Sequence, residues 1–324
     1  MKPIWAVSTA SDICEPELVE RFRKALEQLN PEGGLIGLAV SGGPDSMAML
    51  LLAHAAIPGA FEVATVDHGL RPEAKDECGL VAKACEQRGI HCEVLSVNVG
   101  AGNVQAQARE ARYGALGNWA NRRSISAIAT AHHADDQAET FLMRLNRGSG
   151  VAGLAGVRAS NKLSGFEAAI IRPLLGFRRD ELGRVVSALA VASDPSNHDP
   201  RFDRVRMRGQ LAQCDWLNVP AIAQSSANLA EAYEALQAYA QLLWSQSVRQ
   251  DGQSYILAPV AAREMNRRLL AMIMERLGGR PRGGDVSSLL ARLEQGHGGN
   301  LAGILATVET DEWVLRPEPP RKTG

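Results

Sequence analysis

One stretch, residues 35–52, constrains the fold more than any other part of the chain. It begins as the apolar run LIGLAV, breaks at Ser41-Gly42-Gly43-Pro44-Asp45-Ser46, and continues as the apolar run MAMLLL. This order predicts a buried strand, a tight turn and a buried helix. The two glycines permit positive φ angles and expose backbone N–H groups, the serine hydroxyls add donors, and the helix N-terminus adds partial positive charge. The stretch therefore predicts a phosphate-binding loop, with an ordinary strand-to-helix turn as the alternative.

Strand and helix patterns alternate around this stretch. Strand-like runs occur at 35–40, 61–66, 90–97 and 125–131, and helical patterns occur at 15–29, 45–57, 72–89 and 103–122. Such alternation indicates an α/β fold with a doubly wound parallel sheet. Ligands of these sheets bind at the carboxyl ends of the strands. Polar clusters follow three of the predicted strands, at 41–46, 67–71 (DHGLR) and 132–140 (HHADDQAET), so we expect them at one edge of the sheet.

The cluster HHADDQAET begins a helix and contains the strongest catalytic candidates. His133 and Asp136 are polar groups at a strand end, and Asp136, Thr140 and Arg144 share one helical face at a spacing of four residues. Acidic residues are also favoured in the first turn of a helix by its dipole. A purely structural role therefore remains open for Asp135.

The composition argues against secreted, membrane and disulfide-rich classes. The 324 residues are 45% hydrophobic and 22% charged, as in ordinary soluble proteins, and no apolar run reaches the roughly 18 residues of a membrane helix. The first dozen residues lack the apolar core of a signal peptide, so we expect a cytoplasmic protein. The five cysteines form no CxxC pair, and Cys78 and Cys85 lie on an apolar helical stripe. We therefore expect free, buried thiols instead of disulfides or a zinc site.

The charge is unevenly distributed along the chain. The formal net charge is −1, yet residues 141–210 contain twelve Lys and Arg against six acidic residues. A phosphate backbone would be attracted to such a segment. The alternative is an ordinary solvated surface.

A series of motifs resembles the tRNA(Ile)-lysidine synthetase family. In chain order the motifs are SGGPDS, VDHGLR, the 103–113 stretch with Arg109 and Arg112, HADDQAET, RGSG, IRPLL and DPSN. SGGPDS is similar to the pyrophosphate loop of the PP-loop (N-type) ATP pyrophosphatases. It is not a nucleotide-binding loop that ends in Gly-Lys-Ser/Thr, because no lysine follows it, and it is not a GxGxxG dinucleotide-binding turn. The chain has Val205 where the family often has asparagine, and Ser193 where it often has an acid.

The resemblance implies a reaction and a set of site residues. It implies ATP-dependent ligation of L-lysine to C2 of the wobble cytidine of the isoleucine tRNA with a CAU anticodon, through an adenylated tRNA and with release of pyrophosphate and then AMP. It implies a cytoplasmic enzyme without a membrane partner, and it leaves a homodimer open. The cofactors implied are ATP, bound by Ser41, Gly42, Gly43, Pro44, Asp45, Ser46, Asp67 and His68, and Mg²⁺, bound by Asp136 and Asp45. The catalytic residues implied are His133, Asp136, Arg204 and Arg206, and those for tRNA or lysine are Arg109, Arg112, Thr140, Arg147, Arg178, Arg179 and Arg208.

Within this assignment, His133 or Asp136 would take a proton from the lysine amine, whose pKa is near 10.4 in the free amino acid side chain. Two other readings of the sequence stay open. One is a different PP-loop tRNA-modifying ATP pyrophosphatase, such as a thiolase, or an amidotransferase synthetase. The other is a metal-dependent phosphoesterase that uses Asp67, His68, His132, His133, Asp135 and Asp136.

The predicted domains are a PP-loop catalytic domain at 1–217 and a smaller, mainly helical, tRNA-contacting domain at 218–324. The composition changes near residue 217, after which a long helical pattern covers 221–249. A strand at 255–257, a helix at 262–277 and a hairpin at 303–316 follow in the prediction.

Overall fold

A computed structural model describes residues 14–69, 73–97, 104–163, 165–192, 199, 201–281 and 283–319. Several sequence expectations lie outside these residues: the end of DHGLR at Leu70 and Arg71, the helix start at Pro72, the helix cap at Asn103, and the segment 193–198 that contains DPSN. The chain divides into two compact units, Met1–Ala230 and Glu231–Gly324. The division falls inside a helix, whereas the sequence predicts a boundary between residues 217 and 218.

The first unit alternates strands and helices over most of its length. Its helices are α1 (Pro16–Leu29), α2 (Pro44–Ala56), α3 (Glu73–Glu86), α4 (Val104–Arg123), α5 (Ala134–Leu145), α6 (Val151–Leu154), α7 (Arg179–Val185) and α8 (Asp203–Gln213). Its strands are β1 (Leu35–Ala39), β2 (Phe61–Asp67), β3 (Cys92–Ser96), β4 (Ile125–Ala129), β5 (Ser160–Lys162) and β6 (Ala169–Ile171). Helix α9 (Val219–Ser247) continues into the second unit.

The six strands form one sheet in the order β3-β2-β1-β4-β6-β5. All neighbouring pairs are parallel except β5 and β6, which are antiparallel. The predicted doubly wound parallel sheet is therefore confirmed, and β5 and β6 extend it beyond the four predicted strands. The strand order reverses direction between β1 and β4, which makes their carboxyl ends a topological switch point, the usual ligand site of such sheets.

Two apolar cores cover the two faces of the sheet. On one face α1 and α2 bury Phe22, Met47 and Leu50 completely. On the other face α4 buries Trp119 against β1, β2 and β4. A Cβ atom on Gly37 of β1 would lie 2.6 Å from the Trp119 ring, so glycine permits this close approach. Because helix α2 is buried on nearly all sides, its N-terminus is held firmly at the end of β1.

The second unit combines helices with an antiparallel sheet. Its strands are β7 (Val248–Asp251), β8 (Ser254–Leu257), β9 (Gly299–Leu301), β10 (Ile304–Glu309) and β11 (Glu312–Pro317), in the order β7-β8-β11-β10-β9. Helices α10 (Arg263–Arg276) and α11 (Gly283–Glu294) pack on it through Leu269, Ile273 and Leu290. The predicted strand at 255–257 and the hairpin are present, and the prediction underestimated the strand content of this unit.

Two further sequence expectations concern cysteines and membranes. Cys78 and Cys85 are buried free thiols, as expected, and Thr65 Oγ1 donates a hydrogen bond to Cys78 Sγ at 3.5 Å. Among the helices in the described part of the chain, none combines the length and apolar character needed to cross a membrane.

Candidate active site

The loop between β1 and α2 is closed by its own serines. The Ser46 hydroxyl accepts a hydrogen bond from the Ser41 N–H at 3.1 Å and donates one to the Gly43 carbonyl at 2.9 Å. The two hydroxyl oxygens lie 3.2 Å apart. Because Gly43 precedes the first turn of α2, the loop sits on the positive end of that helix. This is the strand–loop–helix arrangement that the sequence predicts for a phosphate site.

Gly42 holds the loop in a conformation that other residues rarely adopt. Its φ angle is +87°. A Cβ atom there would lie 3.2 Å from the Glu77 carbonyl oxygen of α3, and the Gly42 carbonyl accepts a hydrogen bond from the Ala192 N–H at 2.8 Å. The backbone hydrogen bond from Ala192 holds the loop, and α3 leaves no room for a side chain at Gly42, so the loop is preorganised for an anion.

His133 caps helix α5 and is completely buried. The ring nitrogen Nδ1 of His133 accepts a hydrogen bond from the backbone N–H of Asp136 at 3.4 Å. The backbone N–H of His133 donates a hydrogen bond to Asp136 Oδ2 at 3.1 Å. Its Nε2 lies 3.4 Å from Asp45 Oδ2 and 3.6 Å from Asp136 Oδ2. The imidazole of His133 is thus close to the carboxylates of both Asp45 and Asp136. His133 does not line either of the cavities described below, so the role of proton acceptor that the sequence suggests for it stays a prediction.

Glu139 of α5 is the centre of a cluster of three arginines that come from two helices, α7 and α8. This carboxylate is 1% exposed and accepts from Arg208 Nε at 2.9 Å, from Arg204 Nε at 2.8 Å and from Arg179 Nη2 at 3.0 Å. Arg204 Nη2 also donates to Asp136 Oδ1 at 3.0 Å. Burial raises the pKa of Glu139, but the bonds from Arg208 and Arg204 and the charge of Arg179 outweigh it and hold the pKa below its usual value. The site therefore contains a fixed carboxylate that keeps the arginines in place.

Asp135 has a structural role. It accepts from Arg178 Nε and Nη2, both at 3.2 Å, and from the Arg179 N–H at the start of α7 at 2.8 Å. Burial raises the pKa of Asp135, and the contacts with Arg178 and Arg179 more than compensate, so the net shift is downward. This aspartate joins the start of α5 to the start of α7. The structural alternative that the sequence left open therefore fits its position.

A cavity of about 540 Å³ lies between the ends of β1 and β4, and we name it the β1–β4 cavity. It brings together many of the predicted site residues, and its polar lining includes Ser41, Asp45, Ser46, Arg112, His132, Asp136, Arg179, Arg204 and Arg208. Of the two adjacent histidines, the one that lines this cavity is the partly buried His132, which the sequence assigns only to the phosphoesterase alternative. Burial, together with the positive charges of Arg172, Arg204 and Arg109, lowers the pKa of His132 to about 4 against the opposing effect of Asp136. At neutral pH this imidazole is uncharged.

A second cavity, of about 300 Å³, lies between the ends of β1 and β2, and we name it the β1–β2 cavity. Its walls are mostly small or apolar, with Ala39, Ala64 and Cys78 among them, and His68 lies at its polar side. Ser41, Gly43 and Arg112 line both cavities. Asp67 ends β2 and accepts a hydrogen bond from the Gly69 N–H at 2.8 Å, which is a local turn contact.

Arg112 and Arg172 each lack a described carboxylate partner. The ionisable groups that act on both are Tyr113 and Arg109, and burial lowers the pKa of each of the two guanidinium groups. Arg172 is 4% exposed, and Arg109 lies 5.1 Å from the Tyr113 ring centre. Since Arg112 faces both cavities, an anion bound there would supply the missing negative charge.

The other predicted site residues lie outside the cavities. Arg147 and Arg206 both pair with Asp203, at 2.8 Å and 2.5 Å, and both are more than half exposed. Thr140 is partly buried on α5, one turn after Asp136. In the described part of the chain, no group of three or more His, Cys, Asp or Glu side chains is arranged to hold a metal ion. The phosphoesterase alternative, which would use such a group, gains no support.

The chain matches known proteins over most of its length. A family model described as a PP-loop domain matches residues 15–214. The tRNA(Ile)-lysidine synthase of Novosphingobium aromaticivorans is 44% identical over 309 residues, which is 94% of each chain. That of Zymomonas mobilis is 38% identical over 318 residues, 95% of this chain and 96% of the relative.

A solved structure shares the fold. The U34-tRNA thiolase from Methanococcus maripaludis aligns with a TM-score of 0.53 over 69% of this chain and 80% of that chain, at 20% identity. The identity and coverage of the two sequence relatives establish more than a fold. The chain belongs to the tRNA(Ile)-lysidine synthase family, and its residues 15–214 form the PP-loop domain.

Proposed function

We propose that this protein uses ATP to join L-lysine to C2 of the wobble cytidine in an isoleucine tRNA with a CAU anticodon. The cytidine O2 attacks the ATP α-phosphate and releases pyrophosphate, and the lysine amine then attacks C2 and displaces AMP. One observation carries the proposal: the phosphate loop and the carboxylate–arginine cluster line one cavity at the switch point of the sheet. A nucleotide and a zwitterionic amino acid can therefore meet in it.

The two cavities suggest how ATP lies. The β1–β2 cavity, with its small apolar walls and His68, is suited to the nucleoside. The phosphates would follow the loop from Ser41 to Ser46 towards the β1–β4 cavity. Arg112 lines both cavities and lacks a described carboxylate partner, so we assign it to the phosphates of ATP or tRNA.

Asp45 and Asp136 are suited to hold Mg²⁺ together with the phosphates. Mg²⁺ is bound by one or two carboxylates, substrate phosphates and water. These two carboxylates meet that need, because each has an oxygen within 3.6 Å of the same nitrogen, Nε2 of the buried His133. When bound, the ion would neutralise the charge that develops on the departing pyrophosphate. His133 itself is then a positioning residue that orients both carboxylates from behind.

Lysine has an ammonium, a carboxylate and a second amine, and the β1–β4 cavity offers groups of both signs. Arg179, Arg204 and Arg208 can bind a carboxylate, and Asp136 can bind an ammonium and take its proton. His132 stays neutral at neutral pH, because its pKa is about 4, so it can accept a hydrogen bond from the amine without adding positive charge. Arg204, held by both Asp136 and Glu139, is the guanidinium best fixed to stabilise charge in the transition state.

The tRNA would approach from the rim of this cavity. Arg109, Arg147 and Arg206 are exposed, and the surface pairs of Arg147 and Arg206 with Asp203 are weak enough to exchange for phosphate contacts. By contrast, Arg178 forms an ion pair with Asp135, and Arg179 forms one with Glu139. We therefore assign both arginines to holding the site in its folded arrangement before any contact with RNA. We retain the second unit as a further tRNA-contacting region, and a tRNA substrate agrees with the cytoplasmic location expected from the sequence.

A direct assay tests the proposal. Purified protein is incubated with ATP, labelled lysine and either the CAU-anticodon isoleucine tRNA or the same tRNA with a GAU anticodon. We expect label to enter the first RNA alone, with one AMP and one pyrophosphate formed per lysine. ATP cleavage without lysine transfer would contradict the assigned reaction, and transfer to both RNAs would contradict the assigned substrate.

A further inference from the structure

Trp216 is unusually exposed for a tryptophan. Its side chain is 79% exposed, whereas Trp119 and Trp313 are 0% and 4% exposed. A large aromatic ring in water loses the favourable burial that most tryptophans have, so such a ring is often a contact for a ligand or partner. The structure places it in the short connection between α8 and α9.

The connection that carries Trp216 is a fixed turn. The Cys214 N–H donates to the Leu211 carbonyl at 3.3 Å, and the Leu217 N–H donates to the Cys214 carbonyl at 3.4 Å. After the turn, the Asn218 side chain accepts from the Ala221 N–H at 2.9 Å in the first turn of α9. The ring is therefore presented by a preorganised backbone, and little entropy is lost when it binds.

The turn lies beside the start of α5. Leu211 and Val219, one on each side of the turn, pack with Ala134 and Ala138 of α5. Trp216 is three residues before Val219, so its Cα is at most about 11 Å from that of Val219. The same end of α5 carries Asp136, which lines the β1–β4 cavity. Trp216 is thus close in the chain to residues that pack on α5, the helix whose first turn carries Asp136.

The chemistry of this surface favours a nucleobase. An unpaired RNA base stacks on an exposed aromatic ring, and this mode of recognition is typical of single-stranded loops. Helix α8, which leads to the turn, carries Arg204, Arg206 and Arg208 against Asp203, so its formal net charge is positive, with Glu139 of α5 paired to two of these arginines. The residue next to the ring, Asp215, would repel a phosphate, which favours contact through the base and not through the backbone at this point.

We propose that Trp216 is a stacking platform for an unpaired base of the tRNA anticodon loop, beside the base that reacts. This inference rests on the proposed function, because it requires a tRNA whose loop enters the β1–β4 cavity. The platform would hold the loop in register so that one base reaches Asp136 and Ser41.

The test compares full-length protein with Trp216→Ala and Trp216→Phe. Binding of a CAU-anticodon stem-loop RNA is measured at one fixed salt concentration, together with binding of ATP. Loss of a base–aromatic stack weakens binding about 5-fold to 150-fold, so we expect that loss for Trp216→Ala, a much smaller one for Trp216→Phe, and unchanged ATP binding. The experiment is completed with stem-loops that each lack one base of the loop. At one loop position, removal of the base should weaken binding to the wild-type protein as much as Trp216→Ala does. Removal of the same base should not further weaken binding to Trp216→Ala.

The outcomes are separable from those of the proposed function. If the wild-type protein adenylates no tRNA, the proposed function fails. If the wild type is active and Trp216→Ala binds the stem-loop equally well, the stacking platform is refuted. Equal loss in Trp216→Phe would assign the ring to the local fold, and a change in oligomeric state in Trp216→Ala would assign it to a protein contact; either result overturns the inference.

Discussion

Replacement of Glu139 by glutamine tests whether the arginine cluster is held by a charge. Glutamine keeps the size of the side chain and one acceptor oxygen. In the wild type, Oε1 accepts from Arg179 and Arg208, and Oε2 accepts from Arg204. The amide oxygen of glutamine can take the place of Oε1, but its NH₂ group then faces Arg204 Nε. The variant therefore loses the Arg204 contact and weakens two others.

The structure sets the size of the effect. A hydrogen bond to a charged group contributes about 1.5–3 kcal/mol, and the bonds to a neutral oxygen are about half as strong. The three arginine side chains are between 33% and 43% exposed and can turn towards water, which reduces the loss. We expect a loss of about 2–3 kcal/mol in the free energy of unfolding of the first unit. That corresponds to a fall of about 4–12 °C in its melting temperature.

The pH dependence has a defined sign. Because the folded-state pKa of Glu139 is lowered, its carboxylate stabilises the fold above the unfolded-state pKa of about 4.3. That contribution disappears as the pH falls through the lower, folded-state value. The stability difference between wild type and Glu139→Gln should be constant from pH 6 to 8 and should shrink below about pH 4. Urea titrations of both proteins across this range measure it.

Glu62→Gln is the matched control. Glu62 accepts two hydrogen bonds from Arg123, at 2.8 Å and 2.5 Å, near the start of β2 and so at the opposite edge of the same sheet from the site. The pKa of Glu62 is also lowered, with the Arg123 bond as the main cause. Glu62→Gln should lose stability with the same pH dependence and keep normal lysine transfer. Glu139→Gln should lower lysine transfer on the order of 10²-fold, because Arg204 is misplaced. Normal transfer in Glu139→Gln would refute the reasoning.

Four further variants, at three positions, address the phosphate loop and the cap of α5. Gly42→Ala should reduce ATP–pyrophosphate exchange and the free energy of unfolding, the latter by about 1–2 kcal/mol, because its Cβ would crowd the Glu77 carbonyl at a φ of +87°; unchanged exchange would contradict a rigid loop. Ser46→Ala should lower the exchange rate while stability falls by about 1 kcal/mol, and a normal rate would remove the loop from the mechanism. In single-turnover assays with α-labelled ATP, His133→Ala should slow both formation of adenylated tRNA and lysine transfer, and His133→Asn, which keeps a capping oxygen, should restore part of both. Accumulation of adenylated tRNA in His133→Ala would instead support the proton-acceptor role suggested by the sequence.

Much of the first unit could be predicted from the order of apolar runs. The predicted strands at 35–40, 61–66 and 125–131 match β1, β2 and β4 within two residues, because each is a buried run bounded by turn residues. Strands β5 and β6 were not predicted. Each has three residues, too few for a periodic pattern, and each depends on pairing with a neighbour that the local sequence does not reveal.

The site was predictable in composition but not in orientation. Two adjacent histidines follow β4, and sequence spacing does not tell which imidazole faces the cavity. The capping role of His133 has a local signal, since an acid stands three residues later, as in a capping box. Glu139 gave no such signal. Its partners Arg179, Arg204 and Arg208 are 40 to 69 residues away along the chain, and they meet it only because α7 and α8 pack near α5.

The paired charges also change the meaning of the basic segment at 141–210. Arg178, Arg179 and Arg184 from that segment are engaged by Asp135, Glu139 and Glu15, so the surplus counted from the sequence is largely consumed inside the first unit. Arg112, which lines both cavities, and Arg172 have no described carboxylate partner, and the first of these lies outside the segment. Arg172 is buried and Arg112 is partly buried, and no described carboxylate balances the positive charge of either. If ATP binds as we propose, its phosphates would supply negative charge to Arg112, so we assign Arg112, and not the basic segment as a whole, to phosphate binding.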